Sequence, residues 1–506
     1  MHHIKGEHRN QLCMFSLESS VAPDSFVRVI DAFVDTIDLK SFGFKHVDCG
    51  EEGRPPFHPS VLLKLYLYGY KNGIRTSRKL EREARLNIET MWLLSGNTPK
   101  YHTIADFRKD YKKSFREIFR RFVYLLKEWD LIEGKVIGVD SFKVRAQNSL
   151  KNNYNEKKIA RHLAFIDEKI TEYEQALDGG DKEEDKANIE SKINHQKAKR
   201  KVYEQLNQTL VQSGEEQISL TDPDSRAVVL HRNIVNVGYN IQASVDAKNK
   251  LLVTYETGRV NDTHALGEVA IDSKDLLKVE KMDVLADKGY HTGEEIKICM
   301  DNQITTYVSP KAPSTKDLGL YPITIFVYNK EDNTYTCPAG SVMRTNGRWH
   351  KHSVNGRGEE GKYHFQRYTT KECKGCQQKN QCTKGEKNGR VIDRSEFANY
   401  IEGNNQRVNE NPDYYRQRQQ ITEHIFGTLK RQRGFTHTWV KGKDNVMGEI
   451  GLMFIGYNLG RCAIIKGIPE LIKMLRNSIL LNLKGKKEAF LEKICISIFQ
   501  YKKIAA

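Results

Sequence analysis

An α/β fold preceded by a helical amino-terminal region is the class this sequence predicts, and three observations predict it. Apolar residues recur at helical spacing through Phe26, Val27, Ile30, Phe33, Val34 and Ile37, and an apolar segment from Val61 to Tyr70 follows Pro59-Ser60. A strand, hairpin, helix, strand order then runs between residues 136 and 287, with acids ending the first and last strands. A coiled-coil-like seam and a cysteine-rich stretch interrupt this order, so two insertions are expected. The chain has 506 residues, about three domains by length alone. Lysine and arginine total 81 against 65 acids, a net +16, with hydrophobic residues at 38%. A pI near 9.2 suggests a polyanionic partner, with a solvated basic surface as the competing reading. No apolar run approaches the ~20 residues needed to cross a bilayer, and no secretion signal opens the chain. A membrane role is therefore not expected, and a cytoplasmic, nucleoid-associated location is.

The first element is the helical region, 1–130. Between Lys71 and Arg121, fourteen basic residues face six acidic ones, half of the whole excess in about a tenth of the chain. Ser77 to Arg85 and His102 to Tyr111 read as short helices joined through Ser95-Gly96-Asn97-Thr98-Pro99, an order compatible with a helix-turn-helix-like unit. Arg75, Arg78, Lys79 and Arg108 are the candidate DNA contacts there. Many helical bundles share this pattern, so a solvated helix face competes.

The second unit, 131–305, starts with the short strand Val136 to Val139, which ends in Asp140. The next segment is unlike a sheet. Ile159, Leu163, Ile166, Ile170, Tyr173 and Leu177 alternate in steps of four and three, Asp178-Gly179-Gly180-Asp181 turns the chain, and Ile189, Ile193, Tyr203 and Leu210 continue the seam. A helical hairpin over 154–211 is expected, serving dimerisation, DNA contact or neither. Strand alternation resumes at Tyr239 to Val245, turns at Asp246 to Lys250 and returns over Leu251 to Thr257. Asn261-Asp262 would cap a helix through Ala270, and Met282 to Ala286 form a strand ending at Asp287. Residues 306–400 are a cysteine-rich insertion, 401–464 carry a late helix and the end of the fold, and 465–506 read as a helical tail.

Asp140, Asp287 and Glu423 are the candidate metal ligands. Mg²⁺ is a hard ion that takes oxygen ligands and only a few protein carboxylates. Two such ions about 4 Å apart activate an attacking oxygen and stabilise a leaving one. If the strands pair, Asp140 and Asp287 lie roughly 5 Å apart. Ile421, Ile425 and Leu429 form a buried stripe, which leaves Glu423 and Lys430, two turns apart, on a shared second face. Arg416 and Arg418 precede this pair, and Lys430-Arg431-Gln432-Arg433 close the segment. Taken singly, each acid is better read as a surface carboxylate; their joint order on a basic chain favours the metal reading.

Cys337, Cys373, Cys376 and Cys382 supply four thiols, enough for a closed tetrahedral Zn²⁺ site that would order a segment too polar to build its own core. Unligated thiols, or a set completed by His350, His352 or His364, compete. Cys13, Cys49, Cys299, Cys462 and Cys495 are scattered. Asn261-Asp262-Thr263 fits a glycosylation pattern that matters only in a secreted protein.

These residues also carry a resemblance. Phe57-His58-Pro59, Leu62 to Tyr66, Tyr68-Gly69-Tyr70, Ser77 to Glu81 and Thr103 to Arg108 resemble the amino-terminal region of bacterial insertion-sequence transposases of the eleven-eighty-two type. Val139 to Lys143, Ala286 to Tyr290 and Glu423 to Lys430 resemble that family's three acidic blocks, in family order, and the likeness covers about residues 5 to 465. The resemblance implies an α/β RNase H-like catalytic domain split by the helical hairpin and the Cys-rich insertion. It implies a DDE triad of Asp140, Asp287 and Glu423 holding two Mg²⁺ or Mn²⁺ ions, with Lys430 and Lys143 on phosphates. The partners implied are double-stranded DNA, as terminal inverted repeats and target, and further copies of the chain assembled on it. In the related signature an Arg lies four positions before the Glu, where this chain has Gln419, so Arg416 or Arg418 must substitute. A nuclease of the same fold, or an inactive DNA-binding relative, are the alternative functions.

Overall fold

The computed structural model describes residues 10, 16–48, 55–178, 183–231, 234–258, 260–312, 319–354, 359–385 and 389–478. Six helices come first. Helix α1 (Phe26–Asp35) starts at Ser25, whose hydroxyl accepts from the Val27 amide, and α2 (Pro59–Lys71) opens on a proline capped by His58. Thr76 caps α3 (Ser77–Leu86) and Asn87 caps α4 (Ile88–Leu93). Helices α5 (Tyr101–Asp110) and α6 (Lys112–Glu128) complete the set. Helix α4 occupies part of the expected joining segment, which is left with only the left-handed Ser95 and Gly96 and the residues up to Lys100.

Strand β1 (Val136–Arg145) runs five residues past Asp140. The expected stop there is wrong because Phe142 and Val144 continue the alternation into the core, both at most 2% exposed. Asp140 therefore sits within a strand. The two-residue strands β2 (Asn153–Tyr154) and β3 (Ile218–Ser219) pair at the base of a helical hairpin of α7 (Glu156–Asp178) and α8 (Glu183–Ser213). Ile159, Ile166, Ile193 and Leu210 of the expected seam are buried, the His162 ring stacks on Tyr203 at 4.8 Å, and Arg200 pairs with Asp167 at 2.8 Å. Of the expected turn, Asp178 is the last residue of α7, and Gly179-Gly180-Asp181 lie outside the described residues.

Strands β4 (Arg226–His231), β5 (Ile234–Asp246) and β6 (Leu251–Thr257) precede α9 (Leu266–Leu277), β7 (Met282–Ala286), α10 (Gly293–Asp301) and β8 (Ile304–Val308). Helix α9 starts four residues after Asp262, so Asn261-Asp262 does not cap it. β6 and β4 both pair with β5, β5 lies antiparallel to β1, and β7 and β8 continue the sheet in parallel.

The cysteine-rich stretch builds a core of its own, against expectation. β9 (Val327–Asn329), β10 (Thr334–Thr336), β11 (Val342–Val354), β12 (Glu359–Thr369) and, after the short α11 (Lys379–Cys382), β13 (Ile392–Ser395) form a second, antiparallel sheet. Phe326, Tyr335, Met343, Tyr368 and Ile392 pack together on it, because the aromatic residues of short strands supply the area that aliphatic ones lack. Helices α12 (Ala398–Glu410) and α13 (Pro412–Gly427) return to the first sheet, a π turn covers Thr428–Gln432, and α14 (Lys443–Lys466) comes last of the long elements. Residues 468–478 are helical and bury Leu471 and Leu475; the rest of the expected tail, with Ile479, lies outside the described residues.

Helix α14 is apolar on nearly every side, with Ile450, Phe454 and Leu459 fully buried. It threads between the helical region and the sheet. One contiguous core therefore joins Leu63 and Phe119 of the helices, Val245 and Leu252 of the sheet, and Ile425 and Phe454. No described helix is long and apolar enough to cross a membrane.

Candidate active site

The parallel register pairs Val139 of β1 with Ala286 of β7, so Asp140 and Asp287 are the next residues along neighbouring strands. Helix α13 covers Asp140. It can approach because β1 carries Gly138 beneath it: a Cβ there would lie 2.8 Å from both the Ile421 and Thr422 Cγ2 atoms. Gly138→Ala is expected to lift α13, destabilise the fold by about 1–3 kcal/mol and reduce activity at this site. A thermal melt and an activity assay on the same preparation check both effects.

Asp140 is gripped from three sides. The Ser141 amide donates to Oδ1 at 2.7 Å, and the Thr422 hydroxyl and Arg418 Nη1 each donate to Oδ2 at 3.1 Å. Burial nevertheless pushes its pKa up to about 6, with the neighbouring Asp287 adding to the rise and the Ser141 and Arg418 contacts opposing it. Asp287 accepts the Gly289 amide at 2.7 Å as it caps a turn over Lys288–Tyr290. Arg418 also reaches Glu423 at 3.9 Å, which links the helix acid to the strand acid. Of the two arginines that sequence leaves open, Arg418 is the one at the acids. Arg416 is 74% exposed and pairs with Asp413.

Glu423 lies in α13 and Lys430 in the π turn that follows it. Glu423 stays 61% exposed at the site mouth, while the Lys430 ammonium lies over the Phe142 ring and is substantially buried. That burial lowers the Lys430 pKa; Lys143 lowers it further and Asp140 opposes them, so Lys430 stands near both.

The basic candidates of the helical region divide. Arg78 and Lys79 are exposed. Arg75 is not at the surface: its side chain is 3% exposed, pairs with the fully buried Glu449 at 3.3 Å and donates to the His437 and Gly434 carbonyls at 2.7 and 2.9 Å. Arg108 is half-buried behind it and donates to the Arg75 carbonyl and the Tyr70 hydroxyl. Arg433, from the basic run after Glu423, is likewise buried and donates to the Met453 and Gly456 carbonyls. Arg75 and Arg433 tie the chain after α13 to its neighbours and Arg108 braces the Arg75 backbone, which turns all three away from a DNA-facing role.

Cys337, Cys373, Cys376 and Cys382 all line one small cavity against the second sheet. The Ser341 amide donates to the Cys337 sulfur at 3.3 Å, and Cys382 is influenced by the other three. Among the described residues, no three His, Cys, Asp or Glu side chains gather tightly enough to hold an ion. The competing histidines are engaged elsewhere: His352 stacks on Tyr363, His364 pairs with Glu396, and His350 packs on Phe365. Cys299 and Cys462 are buried in apolar surroundings that push each thiol up to about 12, so both are inert. Cys13, Cys49 and Cys495 lie outside the described residues.

Sequence reasoning misses the polar network beside the acids. Asn240 and Gln242, nearly fully buried on β5, both donate to Asp262, and the Tyr290 hydroxyl donates to Gln242. The available signal is the run of amides in a strand whose neighbours are apolar, since buried amides need partners. The acid site offers only oxygen donors, the chemistry a hard divalent cation takes, although among the described residues no three acids there gather tightly enough to hold an ion as they stand.

Two segments match known families. Residues 15–110 match the family described as "Transposase domain (DUF772)" and residues 336–463 the family described as "Transposase DDE domain". Glu423 falls in the second segment; Asp140 and Asp287 lie outside both. No curated protein matches the chain. Among solved structures, a cryo-EM structure of a piggyBac transposase synaptic complex with hairpin DNA is similar at 11% identity, covering 89% of this chain and 76% of that one, with a TM-score of 0.31.

Proposed function

We propose, for a chain that is an insertion-sequence DDE transposase, that Asp140, Asp287 and Glu423 form its active site and act on the ends of its element. The observation that carries this reading is the parallel register that sets Asp140 beside Asp287 under the helix bearing Glu423. The sheet order β6-β5-β1-β7-β8, with only β5 reversed, supports an RNase H-like fold for residues 131–305 and 401–464, interrupted by the hairpin and by the second sheet.

Asp140 and Asp287 would hold Mg²⁺ or Mn²⁺, with Glu423 completing the set from the site mouth. Two bound ions supply activation of the attacking oxygen and charge stabilisation on the leaving one. The chain's own part is positioning. Arg418 and Thr422 orient the Asp140 carboxylate, and Lys430 and Lys143 meet backbone phosphates as cations beside it. Water attacks the phosphodiester at the element end and breaks its bond to the 3′-oxygen, and the freed 3′-hydroxyl then attacks a target phosphodiester in the same place, expelling that strand's 3′-oxygen as a new 3′-hydroxyl. Exposed Arg78, Lys79 and Arg416 extend the phosphate-contacting surface outward. Assembly of several copies on DNA, in the cytoplasm of a bacterium, completes the reading.

A supercoiled plasmid carrying the element's ends tests it. Mg²⁺-dependent breaks at the ends and sequenced insertion junctions are expected. Breaks without junctions would make the protein a nuclease of the same fold, and salt-sensitive binding without breaks would make it a DNA-binding relative.

For the cysteine cavity, four thiols lining one space support a structural Zn²⁺ site, which would draw them closer together than they stand. One zinc per chain by elemental analysis is expected, lost together with several degrees of melting temperature in Cys373→Ser. A zinc-free native protein of unchanged stability would end that reading.

A further inference from the structure

Sequence spacing predicts a capping role for Asp262, and the fold gives it no capping work. It stands instead on the loop between β6 and α9, where two nearly fully buried amides hold it: Asn240 Nδ2 at 2.9 Å and Gln242 Nε2 at 2.7 Å. Both donors land on one oxygen, Oδ1. The other, Oδ2, is turned toward Gly289, and a Cβ on that glycine would lie 3.2 Å from it and 2.9 Å from Asp287 Oδ1. The two carboxylates thus flank a position kept bare of side chain.

The neighbours point the same way. The buried Tyr290 hydroxyl is under the combined influence of Asp262, Asp140 and Asp287, and it donates to the same Gln242 that holds Asp262. Asn240 Oδ1, on the amide gripping Asp262, is buried without a hydrogen-bond partner among the described residues. A buried amide left half satisfied is costly. The β1–β5 register sets Gln242 opposite Ser141 and Asn240 opposite Lys143, on the sheet face opposite to the one where Asp140 meets Thr422. Asp262 therefore approaches Asp287 from the α9 side while Asp140 approaches from the α13 side.

We infer that Asp262 is a fourth carboxylate of the site, sharing with Asp287 a divalent cation through Oδ2, and that Gln242, Asn240 and Tyr290 are positioning residues for it. The inference rests on the assignment of Asp140 and Asp287 as ion-holding acids. A ligand held by outer partners loses about 10–100-fold in metal affinity when the arrangement is disturbed.

The test titrates Mn²⁺ into the full-length protein and follows free Mn²⁺ by electron paramagnetic resonance, alongside plasmid cleavage. Asp262→Asn keeps an oxygen for both amides, so the fold should hold, and circular dichroism verifies it. At least a tenfold weaker Mn²⁺ affinity and a comparable loss of cleavage are expected. Gly289→Ala, whose methyl would press on both carboxylates, should reproduce the weakening with neither acid substituted. Wild-type Mn²⁺ affinity in both variants, with weakened binding in Asp140→Asn and Asp287→Asn, overturns the role of Asp262 alone. Unweakened binding in all four overturns the site assignment and this inference together.

Discussion

Asp140→Asn is expected to abolish end cleavage, by at least about a thousandfold, while making the metal-free protein more stable. The two effects have one cause. In the folded chain burial and Asp287 disfavour the ionised Asp140 carboxylate, whose pKa rises from the ordinary 3.8 to about 6. Two pKa units correspond to about 3 kcal/mol. The sign comes from proton binding: the folded state holds this proton more tightly, so the stability it contributes is complete below about pH 4 and is lost as pH rises through about 6. A neutral amide removes that loss at neutral pH. The opposing contact from Arg418 is already contained in that shift, so about 3 kcal/mol is the ceiling on the net gain. Melting curves at pH 5 and pH 7.5 check it: the variant's advantage should appear at the higher pH and shrink at the lower. Mg²⁺ should then stabilise the wild type and not the variant, because a ligand that binds only the folded state raises its stability by mass action.

Arg75→Ala has the largest expected effect on folding. Removing one partner of a buried ion pair leaves the other charge uncompensated, at about 3–5 kcal/mol. Here Glu449, fully buried, would keep only the Trp439 amide, and the His437 and Gly434 carbonyls would lose their donors. Arg78→Ala should behave in the opposite way. It should leave the melting temperature nearly unchanged and lower the salt dependence of DNA binding by about one counterion. Urea unfolding of Arg75→Ala against binding titrations of Arg78→Ala separates the scaffold arginine from the surface one. An unaltered Arg75→Ala unfolding curve would contradict the structural role assigned to the buried pair.

Periodicity makes most of the first sheet legible. Leu251 to Thr257 and Met282 to Ala286 are strands with the expected limits, because each is a short apolar run between turn residues. Strand β1 is longer than its apolar pattern predicts because a carboxylate and a lysine interrupt that pattern, and what makes them tolerable is the site itself. The roles of Arg75 and Arg78 cannot be told apart in sequence: both are cations three positions apart in a basic stretch, and only the fold brings Glu449 to one of them. Asp262 misleads for a similar reason. Asn-Asp before an apolar run is the ordinary signature of a helix start, and the amides that claim Asp262 come from β5, about twenty residues away. The second sheet escapes because its strands are polar and carry few aliphatic residues, while its core is made largely of tyrosines and a phenylalanine.

The most direct measurement is anomalous scattering from Mn²⁺ in crystals of the protein bound to element-end DNA. The account predicts a strong peak between the Asp140 and Asp287 carboxylates, with Glu423 drawn in from the site mouth. Manganese bound elsewhere, with those two carboxylates left unligated, would contradict it.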